Sequence, residues 1–184
     1  METQYLQKWT LKKIMCYITY YFFAKNLPAY GEFGLLGMLS ARLRRNLSRP
    51  LFLGCAKRIG IGKGTEFGNG ATIVMKNYSS LGDYARVLGT RGRLILCEHV
   101  FMGPHCTFIL QNHRYLDDRY EGFEGGDIII DEHAWLGYGI IVLPGVRIGK
   151  HAIVGAGSVV TKDIPDFALA AGNPAVIKKY RKIK

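Results

Sequence analysis

Histidine is the side chain best suited to moving a proton near neutral pH, and the chain has five: His99, His105, His113, His133 and His151. Four of them occupy equivalent places. His133 and His151 stand three residues after Ile130 and Ile148, and His99 and His105 stand three after Leu96 and Met102. Recurrence of that kind marks solvated turn residues. His113 breaks the pattern. It lies in Gln111-Asn112-His113-Arg114-Tyr115-Leu116-Asp117-Asp118, where a strand gives way to a loop. A histidine there can act as a general base or be a plain surface-loop residue. Asn112 beside it can orient a substrate or an oxyanion, and an Asn before a loop also forms turns. Asp117 and Asp118 either fix the tautomer of that histidine or are solvated loop carboxylates. Cys16, Cys55, Cys97 and Cys106 show no CxxC spacing and no evident activating base, so they read as buried or half-buried thiols in a reducing cytosol.

The elements that must position these residues follow from a period of six. Ile130, Leu136, Val142, Ile148, Val154 and Val160 recur without a break, and four residues after each come Ala134, Ile140, Val146, Ala152, Ser158 and Ile164. Neither a helix nor a single strand makes that pattern. A chain that turns a corner every six residues does. Three short strands then form one coil of 18 residues, and stacked coils build three parallel sheets around an apolar interior. Glycines after the leading aliphatics (Gly137, Gly149, Gly155) are expected to permit corner backbone angles that a Cβ opposes. Ile61, Phe67 and Ile73 share one register, Leu81 and Val87 another, and Leu96, Met102 and Phe108 a third. From Phe108 to Ile130 is 22 residues, one coil plus four, so a loop is expected to project around 110–127.

The formal charge is +11, from 25 Lys+Arg against 14 Asp+Glu. Its placement is uneven. Lys8, Lys12, Lys13, Lys25, Arg42, Arg44, Arg45, Arg49, Lys57 and Arg58 are opposed over their span only by Glu32, and Lys178, Lys179, Arg181, Lys182 and Lys184 close the chain. The middle is nearly balanced and no nucleic-acid-binding motif is present, which argues against a nucleic-acid partner. No segment has the features of a secretory signal peptide, and the longest uncharged run near the start, Ile14 to Ala24, is too short to span a bilayer. These features favour a cytoplasmic protein, with peripheral placement at the inner face of the membrane as a further option.

Residues 1–50 stand outside the repeat. Leu36, Leu39, Leu43 and Leu47 recur at helical spacing with Arg42, Arg45 and Arg49 on a neighbouring face, and an aromatic helical stretch runs around Tyr17 to Phe23. One reading is a helical cap over the open first coil. A compatible one is an interfacial helix pair resting on anionic lipid. The organisation is thus a cap (1–50), a β-helix (51–170) and a short basic tail (171–184).

The run Trp135-Leu-Gly-Tyr-Gly, Leu143-Pro-Gly-Val-Arg-Ile-Gly, Gly155-Ala-Gly-Ser-Val-Val-Thr-Lys-Asp-Ile-Pro and Ala171-Gly-Asn-Pro-Ala resembles the hexapeptide-repeat acyltransferases, in the branch of maltose, galactoside and capsular-polysaccharide O-acetyltransferases. The resemblance covers roughly residues 53–179. It implies a mainly β fold, a left-handed parallel β-helix, assembled as a homotrimer with sites between subunits. It also implies transfer of an acetyl group from acetyl-CoA to a sugar hydroxyl of a polysaccharide precursor or related glycan, with His113 as general base, a direct ternary-complex mechanism and no metal. By the same resemblance Ala156 and Thr161 lie along the pantetheine arm, Gly139 leaves it space, Trp135 stands beside the acetyl site and Lys162 pairs with a CoA phosphate. Tyr138 replaces a residue that is often small in the family. Val176 stands where the family has a basic residue, a place Lys178 or Lys179 can fill. N-acetylation of an amino sugar, a metal-dependent β-helix enzyme and a non-catalytic scaffold remain as alternatives.

Overall fold

In the computed structural model, residues 8–182 are described; the first seven residues of the expected cap and the last two of the expected tail, Lys184 included, lie outside them. The chain opens with α1 (Leu11–Phe22), whose N-terminus is capped by the Thr10 hydroxyl accepting from Lys13 N–H at 3.3 Å, and continues into α2 (Leu35–Ser48). From Gly54 onward the coils are built mostly of two- and three-residue strands. They stack in parallel on three faces. The first carries Gly54–Cys55, Ile73–Met75, Leu94–Leu96, Ile128–Ile130 and Arg147–Ile148; the second carries Phe101–Met102, Trp135–Leu136, Ile153–Val154 and Ala168–Ala171; the third carries Arg86–Leu88, Thr107–Ile109, Ile141–Val142 and Val159–Val160. In the regular part each residue pairs with the one eighteen further on: Ile129 with Arg147, Trp135 with Ile153, Ile141 with Val159.

The six-residue pattern is the core. Ile130, Leu136, Val142, Ile148, Val154 and Val160 are fully buried, and so are Ala134, Ile140, Ala152 and Ser158. Two inward positions per face fill the interior, and the hydroxyl of Ser158 is satisfied by donating to Gly155 O at 2.6 Å.

Phe108 pairs with Val142, which corrects the expected spacing. Phe108 belongs to the third face and Ile130 to the next first face, so only six of the intervening residues belong to the coil. The insertion is an antiparallel hairpin, Gln111–Leu116 against Arg119–Gly125, rather than four extra residues. At the other end Val176–Tyr180 turns back antiparallel to Ala168–Ala171, so part of the expected tail is an edge strand of the second face.

The glycines act differently from expectation. Gly137, Gly149 and Gly155 do not have positive φ. What they supply is clearance between coils: a Cβ on Gly137 would lie 2.6 Å from Ala156 N, and one on Gly82 would lie 2.4 Å from Gly103 O. The left-handed backbone falls two residues later, at Gly139 (φ 64) and Gly157 (φ 70) on one corner, and on tyrosine, histidine and phenylalanine elsewhere.

Helix α2 also departs from its pattern. Leu43 and Leu47 pack partly against the core, but Leu36 and Leu39 are about half exposed, while Arg44 is fully buried. Its guanidinium donates to the carbonyls of Ile61 (3.1 Å), Leu27 (3.0 Å) and Pro28 (3.0 Å), tying the helix to the first coil.

Two substitutions separate these roles. Leu136→Ala empties a core position and is expected to lower stability by about 2–5 kcal/mol. Gly137→Ala forces neighbouring coils apart and is expected to cost about 1–3 kcal/mol without removing any apolar area. Urea denaturation of both variants measures the difference; an unchanged midpoint for Gly137→Ala would show that the corner can relax.

Candidate active site

Four of the five histidines are structural. Tyr78, His99, His133, His151 and Phe167 all have φ between 54° and 61° and stack in one column up a prism corner. Ring centroids are 4.8 Å apart from Tyr78 to His151 and 5.2 Å at Phe167. His105 stacks on Tyr84 at 4.9 Å at a second corner. These are therefore not simply solvated turn residues. Each imidazole presents its faces to the rings above and below, and its backbone is committed to the left-handed region.

His113 alone has ordinary backbone and stands outside both columns. It sits on the first strand of the hairpin, opposite Phe123, with Asn112 opposite Glu124. The irregular register between Tyr120 and Phe123 brings two rings onto the imidazole, Phe123 at 4.6 Å and Tyr120 at 5.3 Å. The Arg91 guanidinium lies 5.5 Å from the Phe123 ring, and Arg114 pairs with Glu121 at 3.1 Å. Aromatic contacts fix the ring plane and leave the imidazole exposed. Asp117 (φ 54) and Asp118 form the hairpin turn, beyond the Leu116–Arg119 pair. The sequence reading missed Arg91, Tyr120 and Phe123. Alternation about the Asp-Asp turn carried the signal of a hairpin.

The base of the hairpin is clamped. Asp127 accepts from Arg93 N–H at 2.8 Å and from Arg93 Nε at 2.9 Å, and the Arg93 Nη2 makes a further close contact with it. The Arg93 side-chain hydrogen bonds hold the Asp127 carboxyl below the usual carboxylate range.

The remaining candidates are spread over the prism. Thr161 and Lys162 are exposed where the third face turns to the first, the corner from which the hairpin also leaves. Trp135 lies on the second face beside Phe101, both more than half exposed. Tyr138, Gly139 and Ala156 lie at the turn from the second face to the third, and Lys179 and Lys178 lie on the edge strand, Lys179 opposite Leu169. One chain therefore brings His113 and Asn112 to the corner of Lys162, and leaves Trp135, Tyr138 and Ala156 at another. At Gly139 and Gly157 a Cβ would meet nothing within 4 Å, so the surface there is open to an extended ligand arm.

Three of the thiols make poor nucleophiles. All four cysteines are free, and burial pushes Cys55, Cys97 and Cys106 up, away from the thiolate form. His99 and His105 lie on different corners, and among the described residues no three His, Cys, Asp or Glu side chains are grouped to ligate a metal ion. A cleft of about 560 Å³ lies away from His113, between α2 and the early coils, with Leu35, Met38, Arg42, Arg44 and Met102 in its wall.

Comparison with known proteins agrees with this architecture. Residues 127–162 match the family described as bacterial transferase hexapeptide (six repeats). Over 84 residues the chain is 48% identical to a galactoside O-acetyltransferase of Lactococcus lactis, a stretch covering 45% of this chain and 41% of that protein. The chain thus spans less than half the length of the curated relatives it matches. Among solved structures, a maltose O-acetyltransferase from Clostridium difficile superposes with a TM-score of 0.67 at 24% identity, covering 94% of this chain and 87% of that one. A hexapeptide-repeat-containing acetyltransferase from Vibrio cholerae, solved with acetyl coenzyme A, has the same score and identity over 94% and 86%.

The Asp127 clamp has a pH signature. Its carboxyl titrates lower in the folded chain than in the unfolded one, so the pair stabilises at pH above about 4 and is lost as pH falls through the lowered value. Asp127→Asn is expected to be less stable than the parent at neutral pH, with the gap closing in acid. Denaturation midpoints across that range check it, and a gap that stays constant would show that the pair does not act through charge.

Proposed function

We propose that this chain, a hexapeptide-repeat protein of the bacterial transferase family, moves an acetyl group from acetyl-CoA to a hydroxyl of a sugar in a polysaccharide precursor or related glycan. The observation that carries the reading is His113, an exposed imidazole held between Phe123 and Tyr120 at the corner where Thr161 and Lys162 are also exposed.

In this reading an imidazole nitrogen of His113 takes the proton of the sugar hydroxyl as its oxygen attacks the thioester carbonyl. The negative charge passes to the carbonyl oxygen, and the Asn112 amide orients the acceptor or that oxyanion. The carbon–sulfur bond then breaks and the proton passes from His113 to the departing CoA sulfur. No acyl-enzyme is required, in keeping with thiols made unreactive by burial. Open backbone at Gly139 and Gly157, with Ala156 and Thr161, suits the pantetheine arm; Lys162, and Lys178 or Lys179, suit the phosphates.

We further propose left-handed coils and a homotrimer. Trp135, Phe101 and Tyr138 are each more than half exposed on one chain, which favours their being covered by another. Packing corner to corner would set His113 of one chain against Trp135, Tyr138 and Ala156 of the next and so unite the two groups. Acetyl-CoA as donor, and four free thiols, favour a cytoplasmic setting.

His113→Ala is expected to lower turnover on a sugar acceptor by about 10²–10⁴-fold with the assembly size unchanged. Undiminished turnover would overturn the assignment. Calorimetric titration with acetyl-CoA is expected to show saturable binding that Lys162→Ala weakens roughly tenfold.

A further inference from the structure

Helix α2 is turned inside out. Its buried positions are Gly37, Ser40, Arg44 and Ser48, while Leu35, Leu36, Met38 and Leu39 are each at least half exposed. Most of the inward polar groups are hydrogen-bonded: Ser40 and Ser48 hydroxyls donate to Leu36 O (2.7 Å) and Arg44 O (2.8 Å), and Arg44 Nε and Nη1 to three backbone carbonyls, while its buried Nη2 has no partner. A Cβ on Gly37 would lie 2.2 Å from Glu32 O, so the helix is seated on this face and cannot roll to bury its leucines. Helix α1 behaves similarly. Its inward side holds the fully buried Tyr20, whose hydroxyl donates to Thr65 O at 2.9 Å. Its outward side presents Leu11, Ile14, Met15, Ile18 and Phe22, spaced as one helical stripe, with exposures from 40% to 81%.

We propose that the outward face of α1, with the exposed side of α2 that also forms one wall of the cleft, is a docking surface for an anionic lipid bilayer. The surface pairs apolar side chains with charge of one sign. Neither helix contains an acidic residue, and Lys12 and Arg42 stand exposed, whereas Lys13 is half-buried on the Tyr20 side of α1. A self-complementary contact between two copies would set these cations against each other, whereas lipid phosphates neutralise them. At twelve residues α1 is about 18 Å long, short of the ~30 Å hydrocarbon core, so it lies in the interface plane rather than across it. No helix among the described residues is long and apolar enough to cross a membrane. Phe22, at the end of the stripe, is an apolar ring of the kind that interfacial helices bury at the headgroup–acyl boundary, and Phe23 and Phe33 are exposed as well. The inference does not depend on acetyl transfer; it says where the chain works, with the bilayer bringing a lipid-borne acceptor within reach.

Flotation of the full chain with vesicles of phosphatidylcholine alone, and of phosphatidylcholine mixed with phosphatidylglycerol, tests it. The chain is expected to float with the phosphatidylglycerol vesicles, less so as salt is added, and to stay largely free of the neutral ones. Ile18→Glu with Phe22→Glu places charge on the stripe at exposed positions and is expected to release it. Lys12→Glu with Arg42→Glu, which leaves the apolar stripe intact, is expected to weaken partition about fivefold for each cation removed. A chain that does not float, or flotation unmoved by both double variants, overturns the proposal. So does a smaller assembly in sedimentation for Ile18→Glu with Phe22→Glu, because that result assigns the stripe to a contact between copies.

Discussion

Everything in this prism is set by how closely one coil lies on the next. Parallel strands stack about 4.8 Å apart, and the Tyr78–His99–His133–His151 column repeats at that same 4.8 Å between ring centroids. At the corner between the second and third faces the backbones come so near that Gly62, Gly82, Gly103 and Gly137 leave less than 3 Å for a Cβ. A non-glycine residue in the left-handed region costs about 1–2 kcal/mol, and aromatic stacking returns about 0.5–1.5 kcal/mol per pair. The column thus offsets much of the strain that turning each corner imposes. The ladder of rings and the ladder of glycines are two responses to one spacing.

That spacing explains what the sequence revealed and what it hid. Ile130 to Ile164 was legible because each face takes two inward residues and nothing else fits the interior. The length of the insertion was not. Phe108 and Ile130 sit on adjacent faces, and a count of residues does not say which face a strand joins; only the pairing of Phe108 with Val142 does. The glycines were visible as a pattern, but their reason, clearance from the next coil, depends on residues eighteen or more away. Leu36 and Leu39 misled for a related reason. Helical spacing shows that a stripe exists and not which side is inward, and the buried guanidinium of Arg44 decided the side.

The candidate site was legible as a break in the repeat. His113 differed from the other histidines in its spacing, and it differs from them again in its backbone and its contacts. The residues that hold its ring were illegible, because Phe123 and Tyr120 reach it through an irregular strand register, and Arg91 reaches Phe123 from a neighbouring coil.

A regular solenoid has difficulty building an active site from its own coils. Inward side chains are sealed in a dry core, and outward ones recur every eighteen residues along columns that run parallel and never converge. His99, His133 and His151 illustrate the outcome: three imidazoles gathered in one place, yet stacked face to face and spaced by the coil. A base that must reach a bound acceptor has to leave the column. The hairpin provides the departure, since its strands run antiparallel and its side chains leave the prism at an angle the coils do not allow. The Arg93–Asp127 clamp then ties that departure to the first face, so that a flexible insertion becomes a fixed arm. The candidate site accordingly resides in the irregular residues, and the repeat supplies the rigidity against which they are held.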